Sequence, residues 1–94
     1  MSIRVLLSSK HKVVSEGIAA VLRTHPDLQV VGMAETDEKT QALCNEMTPH
    51  VVLLGMHSNN QQDLALMHAL AAQRSSPHMV AFSGDSDRHA IIEI

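Results

Sequence analysis

The sequence predicts an α/β domain built on a doubly wound parallel sheet, and three observations carry that reading. Four short runs are apolar almost throughout: Ile3 to Leu7, Leu28 to Met33, Val51 to Leu54 and Met79 to Phe82. Runs of this kind suit strands covered on both faces, where alternation with polar residues is not needed. The segments between them carry helical spacing, and short stretches rich in Pro, Ser, Asp and Gly separate the two kinds. The predicted order is βαβαβαβα in one domain spanning residues 1–94.

Each element has its own signal. After the first strand, Ser8 to His11 makes a polar connection. Val13, Val14, Gly17, Ile18, Val21 and Leu22 then form a paired i, i+4 stripe on one helix face. That helix must stop before Pro26, because the residue preceding proline disfavours the α region. Thr36 or Asp37 caps a second helix that reaches about Met47, with Ala42, Leu43, Met47 and Cys44 as inward positions. Pro49 separates it from the third strand. Asn60 or Asp63 opens a third helix to about Gln73, with Leu64, Met67, Leu70 and Ala71 inward, and Ser75, Ser76 and Pro77 break it. Beyond the fourth strand, Ser83-Gly84-Asp85 reads as a loop, and Ser86 or Asp87 as the cap of a final helix.

Composition narrows the function classes. Phe82 is the only aromatic among Phe, Tyr and Trp, so the core must be aliphatic, with six Met as fillers. The net charge is −3 and the seven Lys and Arg are scattered, which argues against nucleic-acid binding by this segment. No run approaches the roughly 20 apolar residues of a membrane span. The single cysteine, Cys44, excludes an internal disulfide and suits a reducing compartment. With an N-terminus that leads directly into a strand, the expectation is a cytoplasmic protein that does not contact membrane.

IRVLLSSKHKVVSEGIAAVL, PDLQVVGMAET and PHVVLLGMHSNN together resemble the receiver domain of two-component response regulators. The nearest likeness is to receivers attached to LuxR-type helix-turn-helix transcription factors. It rests on Val14-Ser15-Glu16-Gly17-Ile18 and on Pro26-Asp27 through Ala34, and the resemblance covers nearly the whole chain. It implies a flavodoxin- or CheY-like sheet of about four strands in the order 2-1-3-4. The family's last strand and helix are expected to be absent.

In the resembling family, two acidic residues after the first strand and an aspartate ending the third hold Mg²⁺, and that aspartate accepts a phosphoryl group. A hard cation wants carboxylate oxygens, and the cation stabilises charge on the transferring group. Here the acidic pair aligns with Ser9 and Lys10, and the acceptor with Gly55. Only the hydroxyl after the fourth strand remains, as Ser83. Phosphoryl acceptance by the family's mechanism is therefore not expected. Asp63 and Asp85 are the carboxylates nearest in sequence, and each reads more simply as a capping or solvent residue.

Other readings are weaker. The seven histidines are dispersed, and only His11 and His57 fall near the same end of the sheet, so no metal site is expected. No catalytic constellation or glycine-rich phosphate loop can be assembled, so neither enzymatic activity nor a cofactor is expected. Lys10 either points to solvent or places its ammonium in the vacated pocket. The resemblance, with its last strand and helix missing, implies an open edge on the fourth strand and an uncovered flank on the first helix. Val14, Ile18, Val21 and Leu22, together with Met79 and Phe82, are then the candidate interface for a second copy or another protein. The expected function is a pseudo-receiver acting through protein contact in transcriptional regulation. The alternative is a flavodoxin-like module that binds a small molecule at the switch between strands one and three.

Overall fold

The computed structural model describes residues 2–55, 61–73, 77–83 and 90–93. Strand β1 (Ile3–Ser8) is followed by α1 (Lys12–Leu22), β2 (Leu28–Ala34), α2 (Asp37–Met47), β3 (Val51–Gly55), α3 (Gln61–Ala71), β4 (His78–Ser83) and β5 (Ala90–Glu93). The first four strands are parallel and lie in the order β2-β1-β3-β4, as expected. All four strands of the parallel sheet sit where the apolar runs fall.

The final element differs from expectation. Residues 90–93 form β5, antiparallel to β4, with Val80 opposite Glu93 and Ser83 opposite Ala90; the expected caps Ser86 and Asp87 lie outside the described residues. Ile91 and Ile92 are β-branched and favour a strand. An antiparallel return also needs only a short connection, whereas a parallel one needs a crossover of about a dozen residues. The pairing corrects the expected open edge on β4. It also changes the standing of that strand's interface candidates: Met79 is 5% exposed inside the core, and Phe82 is half-buried.

Pleat alternation divides the sheet between two cores. Leu6, Val52, Leu54, Met79 and Ala81 point to the side carrying α2 and α3, where Cys44, Leu66, Met67 and Leu70 meet them. Val5 and Leu7 point to the opposite side, where Ala19, Ile18 and Leu22 of α1 pack with Leu53 and the β2 side chains Leu28 and Val30. Leu6, Leu70 and Val52 are fully buried, each stabilising the fold by about 1.5–3 kcal/mol relative to exposure.

Within the helices the rotation departs from the predicted faces. In α1 the buried residues are Ser15 and Ala19, whereas Val13, Val14 and Val21 are exposed and Ile18 and Leu22 half-buried. The small residues Ser15 and Ala19 take the sheet-facing line of the helix, and part of the valine stripe faces outward. In α2, Thr40 and Cys44 are buried, Leu43 and Met47 are half-buried, and Ala42 is exposed. In α3, Leu66, Met67 and Leu70 are buried but Ala71 is exposed, and the side chain of Leu64 is outside the described part.

The ends of α2 are well determined. Thr36 Oγ1 accepts from the Lys39 amide at 3.1 Å, the expected N-cap, and Asp37 and Glu38 in the first turn suit the positive end of the helix dipole. The helix ends on Thr48 at φ 44° and ψ 61°, whose amide donates to the Cys44 carbonyl. Pro49 then releases the chain into β3.

Candidate functional site

In a sheet ordered β2-β1-β3-β4 the chain reverses its direction of growth between β1 and β3, and a crevice opens at their carboxyl ends. Ser8 arrives there at the end of β1 and Ser9 and Lys10 just after it, Gly55 at the end of β3, Glu35 from the turn after β2 and Asp37 from the first turn of α2. These residues bound one shallow pocket, with Leu54, Leu66 and Met67 as its floor. Ser9, Lys10 and Gly55 thus line one pocket. Ser83 ends β4 at the same side of the sheet, opposite Ala90; its side chain lies outside the described part.

The two serines are already engaged. Thr40 Oγ1 donates to the Thr36 carbonyl at 2.8 Å, so its proton is spent, and the 2.6 Å contact with Ser8 Oγ must be a bond that Ser8 donates. Ser9 donates its amide to the Ala34 carbonyl at 3.0 Å, and its hydroxyl accepts from the His11 amide at 3.1 Å. Both serines are 7% exposed. The Ser8 hydroxyl donates to Thr40, whereas the Ser9 hydroxyl is held as an acceptor only.

Lys10 is exposed at the mouth and, among the described residues, makes no ion pair or hydrogen bond. The partners expected for its ammonium in the pocket, the Ser83 hydroxyl and the carbonyls of the loop after β3, lie outside the described part. Glu35 is exposed and Asp37 half-exposed. The sequence reading missed both, because no spacing marks a carboxylate that reaches the crevice from a neighbouring turn. Among the described residues no group of three or more His, Cys, Asp or Glu could hold a metal ion. His11 is exposed beside the pocket, and His57 and Asp85 lie outside the described residues.

Gly55 is crowded by Ser9, which also lines the pocket, and by Phe82. A Cβ placed on Gly55 would lie 3.0 Å from Ser9 Oγ, 3.1 Å from Ser9 Cβ and 3.2 Å from Phe82 Cζ. Gly55 and Phe82 are direct register partners, so the ring reaches across from the adjacent strand. No helix among the described residues is long and apolar enough to cross a membrane.

No protein-family model matches the chain. It is 29% identical over 94 residues to the transcriptional regulatory protein LiaR of Bacillus subtilis (strain 168), a match that covers 97% of this chain and 44% of that one. The chain therefore spans less than half the length of this relative. Among solved structures, the response regulator domain of Thermotoga maritima CheB superposes with a TM-score of 0.80 at 17% identity, over 94% of this chain and 65% of that one. A LuxR-family two-component response regulator from Aurantimonas sp. SI85-9A1 gives a TM-score of 0.78 at 19% identity, over 88% and 59%. The chain has the CheY-like receiver fold, and in sequence it resembles response regulators.

Proposed function

We propose that this chain is a receiver-type domain of a transcriptional response regulator that works without phosphoryl transfer, through contact with protein. The observation that supports this most is Gly55 at the carboxyl end of β3, where the resembling family places its acceptor. Ser9 and Lys10 stand where that family carries acids, and the carboxylates needed to offset a divalent cation are absent from those positions. On this reading the domain is cytoplasmic, is not an enzyme, needs no cofactor, and leaves DNA contact to other parts of a longer regulator.

The proposed contact surface is the outward flank of α1. Val14 is 40% exposed and Val21 62% exposed, with Ile18 and Leu22 half-buried beside them. Such apolar side chains on an outer helix face favour a protein partner or a second copy of the chain.

The test is incubation of the purified chain with acetyl phosphate and Mg²⁺, read by intact mass. The expected result is an unchanged mass. Gain of one phosphoryl group would overturn phosphorylation independence.

A further inference from the structure

We infer that the end of β3 is plugged rather than vacated: Ser9 and Phe82 fill the place that a side chain at position 55 would take. This inference rests on the pseudo-receiver reading and deepens it. Loss of an acceptor can leave a gap that a new aspartate would refill, or it can be followed by inward packing that consumes the space. The distances favour the second. Carbon atoms in comfortable contact lie about 3.5–4.0 Å apart, whereas a Cβ at Gly55 would meet Ser9 Cβ at 3.1 Å and Phe82 Cζ at 3.2 Å.

The backbone does not explain the glycine, since no glycine among the described residues has a positive φ. Close approach from two sides does. Ser9 cannot retreat easily, because its amide is tied to the Ala34 carbonyl at 3.0 Å and its hydroxyl to the His11 amide at 3.1 Å. Phe82 sits on β4 directly opposite Gly55, so its ring is carried against that Cα by the strand register. The contact joins the ends of β1, β3 and β4 and holds them in one arrangement. A carboxylate at position 55 requires both neighbours to move.

The experiment compares wild type, Gly55→Ala, Phe82→Ala and the double variant by urea denaturation, with Gly55→Asp exposed to acetyl phosphate and Mg²⁺. Gly55→Ala is expected to lower the unfolding midpoint, to lower it less when Phe82 is also alanine, and Gly55→Asp to gain no phosphoryl mass. A Gly55→Ala variant as stable as wild type, an equal penalty in both backgrounds, or phosphorylation of Gly55→Asp would each overturn the plug. Should Gly55→Asp fail to fold, the alanine series still decides. Phosphorylation of the wild-type chain would instead sink the pseudo-receiver reading, so the two failures are distinguishable.

Discussion

Ser8 Oγ donates a hydrogen bond of 2.6 Å to Thr40 Oγ1, and the two hydroxyls lie buried where the end of β1 meets α2. The Thr40 hydroxyl passes the chain on to the Thr36 carbonyl at 2.8 Å, so the same threonine that caps the helix also receives the link from the sheet. Thr40 has no exposed surface at all, and water cannot replace a lost partner. Thr40→Val keeps the shape but leaves the Ser8 donor unmatched, and should cost about 1–3 kcal/mol. Ser8→Ala combined with Thr40→Val should cost less than the sum of the single changes, because neither orphan remains. Urea denaturation of the four proteins checks this, and strict additivity would count against the bond.

The sheet was legible in the sequence because its signal is local: a run such as Val51 to Leu54 is apolar on both faces whatever packs on it. Helix rotation was not. In α1 the valine stripe and the pair Ser15 and Ala19 compete for the sheet; Ser15 and Ala19 are buried, and Val14 and Val21 face outward. Periodicity reports a stripe but not which of its edges meets the sheet. The last segment was ambiguous for a related reason, since four residues such as Ala90–Glu93 are too few to show a period, and pairing with β4 made them a strand. At the site, Ser9, Lys10 and Gly55 were found through the resemblance. The approach of Phe82 to Gly55 depends on the register of β3 with β4, which no single stretch of sequence encodes.

Thr48 holds the left-handed conformation at φ 44° with a β-branched side chain, which costs about 1–2 kcal/mol. Its amide closes α2 by donating to Cys44, a bond that any residue with an N–H can make. The hydroxyl's contact with the Arg4 guanidinium is long, at 3.4 Å. Thr48→Gly should therefore raise stability by several tenths to about 1 kcal/mol, the gain being reduced by the freedom glycine adds to the unfolded chain. Thermal unfolding gives the comparison; a lower midpoint would show that the Arg4 contact outweighs the strain.

His50 bridges to β1 with both its backbone and its ring. Its amide donates to the Arg4 carbonyl at 2.9 Å, and its Nδ1 accepts from the Arg4 amide at 2.9 Å. A backbone amide can only donate, so this ring nitrogen carries no proton. His50→Ala removes the acceptor at an exposed site where water can partly replace it, and should cost about 0.5–1.5 kcal/mol. His50→Asn offers an amide oxygen at a similar distance from the backbone and should recover much of the loss. Equal destabilisation by Ala and Asn, measured by urea denaturation, would remove the ring nitrogen from the account.

Val14 and Val21 lie two turns apart on α1 and are both exposed. Lysine is tolerated at such positions in the folded monomer, so Val14→Lys with Val21→Lys should change stability by no more than about 0.5 kcal/mol per site. If this flank meets a second copy, however, two ammonium groups must be desolvated without partners on each side, which opposes association strongly. Sedimentation velocity at micromolar concentration should therefore show self-association of the wild-type chain and a monomer for the double variant, with similar unfolding midpoints. A wild-type chain that is monomeric throughout would remove the second copy as occupant of the flank. Association that survives both lysines would move the contact to another surface.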